Sequence, residues 1–190
     1  MGLAARRFLV PVLATLAVAL AVTGTFLPLF RNEQPFTSGT VRTVVGAWRT
    51  HVTLPGRDEI SGPSAPLGAA LLVGAAILLA AAILGFRRPG PAASRTTLAG
   101  AAFLLGAVGT VGTLGVQWLY DPGRTGPGLS LEPGLWLLIA AALTAMAAAA
   151  LSLREPAPGR PEWADPAVAY ADTTTPPSGV AITVLPPERE

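Results

Sequence analysis

Apolar residues run in four long blocks along this chain, separated by polar segments rich in proline, glycine and arginine. The blocks extend from Phe8 to Phe30, Leu67 to Phe86, Thr96 to Tyr120 and Gly134 to Leu153, and none contains a formal charge. A helix rises about 1.5 Å per residue and the hydrocarbon core of a bilayer is about 30 Å thick, so roughly 20 apolar residues make one crossing. Each block meets that length. The pattern predicts an all-α membrane protein with four transmembrane helices at 8–30, 66–86, 96–120 and 133–153. A short N-terminal segment at 1–7, loops at 31–65, 87–95 and 121–132, and a tail at 154–190 complete the chain.

The polar segments have characters of their own. Thr40-Val41-Arg42-Thr43-Val44-Val45 and Trp48-Arg49-Thr50-His51-Val52-Thr53-Leu54 are β-branched and partly alternating, with Gly46-Ala47 between them. They read as a small β-hairpin in the first loop, and an isolated hairpin is marginal unless it packs on something. Pro66 opens the second span, and Glu132-Pro133 open the fourth, where a carboxylate suits the positive end of the helix dipole. Asp121 to Gly128 is a dense run of turn residues. The tail, rich in proline, small residues and acids, is expected to be disordered, with one short strand at Val180 to Leu185. A cleaved signal peptide ending near Ala19-Leu20-Ala21 competes with an uncleaved first helix. The apolar run continues to Phe30, beyond the 7–15 residues of a signal core, and favours the helix.

Composition agrees with a membrane setting. The 190 residues are 51% hydrophobic and only 13% charged, against about a quarter charged in soluble proteins. The basic residues are all arginine and there is no cysteine, which removes disulfides, thiolate metal sites and a cysteine nucleophile. Arginines cluster at one set of segments: Arg6, Arg7, Arg87, Arg88, Arg95, Arg154, Arg160 and Arg189 against Arg31, Arg42, Arg49, Arg57 and Arg124. The positive-inside rule then sets both termini in the cytoplasm and the 31–65 and 121–132 loops outside. Phe26, Phe30, Trp118, Tyr120 and Trp136 fall at the outer boundary, where amphipathic rings prefer to sit. Spread in this way the arginines are topology determinants, and no nucleic-acid partner is expected.

Two groups of residues stand out. Gly106, Gly109, Gly112 and Gly115 recur at every third position of the third span, with Ala102, Thr110 and Thr113 among them. Small residues let helix backbones approach, so this helix is expected to be the thin, central one of the bundle. In the first loop Arg42, Trp48 and Arg49 combine an aromatic anchor with flanking guanidinium groups, the residue types that dominate interfaces. Residues 38–58, or the tail, are therefore the expected route to a protein partner, besides the lipid bilayer itself. The competing reading rests the hairpin and Trp48 on the ends of the chain's own helices.

Catalytic chemistry finds little support. The spans carry no acid, base or histidine of the kind that lines ion and proton paths. His51 is the sole histidine, and Asp58-Glu59 reads as an exposed turn. No phosphate-binding glycine loop, G-x-S-x-G elbow or H-E-x-x-H pattern occurs. The expectation is a non-enzymatic protein without cofactor or metal. Pro66 to Arg87 and Pro133 to Arg154 have the same separation, consistent with a duplicated helical hairpin or with convergent Ala/Leu/Gly bias.

The order of a first helix ending in Thr25-Phe26-Leu27-Pro28-Leu29-Phe30, a polar loop with a lone tryptophan, three more helices and Pro133-Gly134-Leu135-Trp136-Leu137-Leu138 at the last resembles small four-helix membrane proteins of high-GC Gram-positive bacteria. The resemblance covers about residues 8–153 and implies topology alone. Claudin-like proteins share four spans and a β-rich first loop, but their paired loop cysteines are missing here. The sequence thus predicts a multi-pass protein of the plasma membrane, the bacterial inner membrane, acting as an accessory or scaffold of the cell envelope. The alternative is a small transporter or channel subunit that becomes polar only as an oligomer, for which Thr110, Thr113 and Gln117 supply the one hint of a polar stripe.

Overall fold

The computed structural model describes residues 3–37, 39–88, 90–119 and 129–153. The expected disordered tail, its strand at Val180 to Leu185 and the turn at 121–128 lie outside the described residues. Among these residues there are four helices, α1 Leu3–Phe26, α2 Leu67–Arg87, α3 Pro91–Leu119 and α4 Pro133–Leu153, each with a segment long and apolar enough to cross a membrane. Five strands accompany them: β1 Pro28–Phe36, β2 Gly39–Gly46, β3 Arg49–Thr53, β4 Ile60–Pro63 and β5 Leu129–Leu131. The four expected helices are present, and the small β-hairpin expected beside them is part of a larger antiparallel sheet of five strands among the described residues.

The helices alternate in direction. Near one end of the bundle a Cβ on Gly24 of α1 would meet the Gly134 carbonyl of α4 at 3.0 Å, and near the other a Cβ on Gly85 of α2 would meet Pro11 of α1 at 3.4 Å. Gly74 packs on Leu104 and Gly100 on Leu78, which fixes α2 and α3 antiparallel. The Ser94 hydroxyl of α3 donates to the Ser152 carbonyl of α4 at 3.3 Å, closing the ring of four. Small residues at these contacts let the helix backbones approach closely, the packing that helices would rely on in lipid. α1 and α4 meet that way at Gly24, which lies against Gly134 and Leu138, and Ala14, Ala17, Ala21, Ala141, Ala145 and Ala148 of the same two helices are buried. Leu78 and Leu104 meet the α2–α3 contact at Gly100 and Gly74, and Leu71, Val108 and Val111 are buried with them in the common core. Large apolar side chains such as Leu16, Val73, Leu79, Phe103, Leu143 and Met146 point outward.

The first helix stops sooner than the apolar pattern predicts. Pro28 has no N–H to donate and disfavours helical geometry at Leu27, so α1 ends at Phe26 and the chain turns into β1. A bulge between Pro28 and Phe30 leaves both Leu29 and Phe30 buried. The expected hairpin is real: β2 and β3 pair antiparallel from Arg42↔Thr53 to Val45↔Thr50, with Ala47-Trp48 as the connection in place of Gly46-Ala47. It is not isolated. The strand order is β4-β3-β2-β1-β5, and four of the strands come from the first loop. Gly39, at φ 129°, closes β1 onto β2 in a conformation that L side chains rarely adopt.

The sheet covers the end of the bundle where α1 finishes and α2 and α4 begin. The Gly68 N–H at the start of α2 donates to the Ala47 carbonyl at 3.1 Å, and the Glu132 N–H ahead of α4 donates to the Leu29 carbonyl at 3.1 Å. Such bonds satisfy backbone groups that a helix start leaves orphaned. At the opposite end the described residues are the start of α1, the end of α2 with Arg88, Gly90 with the start of α3, and the end of α4.

Candidate partner surface

Alternation along the strands gives the sheet two different faces. Phe30, Val45 and Thr50 lie on the face turned to the helices, opposite one another in register. With Leu29, Pro63, Ser64, Ala65, Leu67, Leu114 and Gly115 they enclose a cavity of about 260 Å³ between the sheet and the ends of α2 and α3. Its walls are mostly apolar, and the Ser64 hydroxyl is already engaged with the Gly46 carbonyl at 3.0 Å.

The outer face carries the charges. Glu33 pairs in register with Arg42, and the Arg31 Nε donates to the Glu33 carboxylate at 2.9 Å while the Arg42 Nε stands 3.8 Å from the same oxygen. One strand further, His51 Nδ1 lies 2.6 Å from Glu59 Oε1. Adjacent residues in sequence had made Asp58-Glu59 read as a bare turn, but the β3–β4 connection returns Glu59 to the histidine. Arg49 shares this face with His51, two positions along β3. These pairs are half-exposed, where an ion pair contributes about 0–1 kcal/mol. They define a pattern of charge more than they stabilise the fold. Among the described residues no three histidines, cysteines or acids converge as metal ligands would.

Trp48 does not join Arg42 and Arg49 on that face. It lies at the β2–β3 connection, where its ring stacks on Phe26 at 6.2 Å between centroids with 25° between planes. Its indole also rests on Gly68, where any Cβ would overlap it. Trp48 thus lies against the ends of α1 and α2 and keeps 40% of its surface exposed, enough to present one edge to a neighbour.

The glycine row of the third helix is also placed differently from the expectation. Nothing lies within 4 Å of a Cβ built on Gly106, Gly109 or Gly112. Gly115 is the exception, its Cβ position being occupied by the Phe30 ring. The notion of α3 as the thin, central helix is corrected: its first three glycines, with exposed Thr110, Thr113 and Gln117, face outward. Thr110 and Thr113 satisfy their hydroxyls within the helix, on the carbonyls of Gly106 and Thr110, at 2.9 and 2.8 Å. The glycines that admit neighbours are Gly24, Gly68, Gly74, Gly100 and Gly134, scattered over the other contacts. They carry no periodic signal, because each answers to a partner distant in sequence.

No known family model matches this chain, and no curated protein matches it.

Proposed function

We propose that the chain is a non-enzymatic integral membrane protein of the bacterial plasma membrane that displays its sheet outside the cell as a docking platform for another envelope component. Four apolar helices with large aliphatic side chains on their outer surfaces support the membrane part. Arginine density supports a cytoplasmic location for both termini, with the sheet on the other side. The observation that carries the docking role is the outer face of the sheet. Arg31, Glu33, Arg42, Arg49 and His51 share it, well beyond what is needed to close the bundle end. The partner is a protein, reached through residues 38–58 or through the tail.

The test is site-directed photo-crosslinking in the native membrane with the probe at Thr40, on the exposed outer face. Arg42→Glu with Arg49→Glu should abolish the crosslinked product while the apparent Tm of the purified protein stays within about 2 °C. Unchanged crosslinking would refute the platform.

The second reading, a channel or transporter subunit working as an oligomer, is favoured by the outward row of Gly106, Gly109, Thr110, Thr113 and Gln117 on α3. It requires ion or solute flux across liposomes holding the purified chain, with loss on Thr113→Leu.

A further inference from the structure

We infer that Arg95 is a binding site for the phosphate of an anionic phospholipid headgroup. The inference rests on the reading that these helices cross a bilayer. The register of α2 and α3 sets its geometry. Gly74 packs on Leu104 and Gly100 on Leu78, so counting outward along both antiparallel helices brings Arg95 level with Ile83. Phe86 and Arg87 lie about one turn nearer the end. The sequence pattern had left Arg95 in a polar connection; the helix in fact begins at Pro91 and carries Arg95 in its second turn.

The boundary at this end is marked on two neighbouring helices by the same residue order. Arg6-Arg7-Phe8 enters α1 and Phe86-Arg87-Arg88 leaves α2, and the rings of Phe8 and Phe86 are 68% and 54% exposed. Arg95 therefore emerges on the apolar side of Phe86. It is exposed, and Ile83 and Leu98 near it are exposed aliphatics. A guanidinium there must reach outward along its stem to a polar partner, because it cannot deprotonate and burial of an unpaired charge is costly.

The chain offers no such partner among the described residues. The described acids are Glu33, Asp58, Glu59 and Glu132, all at the sheet end, about 30 Å away along α2. That separation is several Debye lengths at physiological salt. The described charges of this end are arginines, Arg6 and Arg7 on α1 together with the exposed Arg87, Arg88 and Arg95. What lies at that level in a bilayer is lipid phosphate. Arginine matches a phosphate with paired N–H donors, and a cation near an anionic leaflet gains about a fivefold preference. A zwitterionic lipid presents phosphate with its own ammonium and competes poorly.

The experiment uses the full chain, which has no cysteine, with a fluorophore on a single cysteine at exposed Ala92. The protein is reconstituted in phosphatidylcholine vesicles with nitroxide-labelled phosphatidylglycerol or nitroxide-labelled phosphatidylcholine as quencher. Quenching should report about fivefold enrichment of the anionic lipid, lost in Arg95→Gln and largely kept in Arg95→Lys. Arg49→Gln, at the sheet end, should leave it intact. A retained tryptophan emission spectrum shows that Arg95→Gln has folded. Equal quenching by both lipids, or enrichment that survives Arg95→Gln, would overturn the inference. So would enrichment abolished by millimolar inorganic phosphate, which would mark a site for the free anion. Release of the chain from membranes by alkaline carbonate would defeat the membrane reading itself; a chain that resists carbonate yet shows no lipid preference defeats the lipid site alone.

Discussion

Replacing Gly134 by alanine sets the packing of the bundle against helix propensity, and the structure decides which wins. A Cβ on Gly134 would lie 2.6 Å from the Pro28 carbonyl oxygen, 2.8 Å from that of Leu27 and 3.0 Å from that of Gly24, whereas ordinary contact begins at 3.4 Å. All three obstacles are backbone, and two belong to the turn that joins α1 to the sheet. None can rotate away. Overpacking of this kind costs about 1–3 kcal/mol, and the pivot between helix and sheet suggests the upper part of that range. Alanine returns at most about 1 kcal/mol in helix propensity, and less at the second residue of a helix. The net loss is about 1–2 kcal/mol. At 2–4 °C per kcal/mol for a chain of this size, apparent Tm should fall by about 2–8 °C.

Gly109→Ala is the matched control. Nothing lies within 4 Å of its Cβ position, so the propensity gain stands alone and Tm should rise by about 2–4 °C. The assay is thermal unfolding of detergent-solubilised protein followed by tryptophan emission, at one scan rate for all variants. Equal falls in Tm for both variants would refute the assignment of close packing to α1–α4. A fall for Gly109→Ala with none for Gly134→Ala would restore the third helix as the packing element that its glycine spacing suggests.

Three further outcomes are expected. Trp48→Ala removes the stack on Phe26 and uncovers Gly68, so it should lower apparent Tm by several degrees, about 2 kcal/mol for a half-exposed ring; an unchanged Tm would make Trp48 a dedicated interface residue. Gly68→Ala should reproduce that loss with Trp48 still present, measured on the same scans, because the new methyl displaces the indole. Single cysteines at Ser38 and Thr125 should react with an impermeant thiol reagent on intact cells, and those at Ser94 and Ser178 should not; labelling at Ser94 would reverse the topology.

What was legible in the chain followed from how local its cause was. Helix α4 falls at Pro133–Leu153, as the apolar block and its opening proline predict, and α2 is within a residue of its expected bounds. Both begin and end at breaks written in adjacent residues. The β2–β3 hairpin was legible for the same reason, since β-branched alternation on either side of a short connection is a local signal. β5 was not, because Leu129-Ser130-Leu131 has no pattern of its own and becomes a strand only by pairing with Phe30, Arg31 and Asn32, about a hundred residues earlier. β1 was lost to a competing signal: hydropathy continues to Phe30, while the backbone has already obeyed Pro28.

The same distinction governs the candidate residues. Arg42 and Arg49 were identified by type and share the outer face of the sheet, a consequence of strand alternation that needs no distant partner. Glu33, Arg31 and the His51–Glu59 pair were missed, because cross-strand register creates those neighbours. Trp48 has the type of an interface anchor but is placed by Phe26 and Gly68, each contributed by a different helix. These contacts tie the sheet to the bundle at more than one point. β1 follows α1 after the single residue Leu27, the Leu29 carbonyl holds the start of α4, and the Ala47 carbonyl holds the start of α2. A partner bound to the outer face would therefore press on two helix starts through backbone hydrogen bonds and on the end of α1 through the chain itself, not through a flexible tether. A loop serving only as a connector has no need of such attachments. They are what a surface requires if it is to hold a fixed orientation above a membrane.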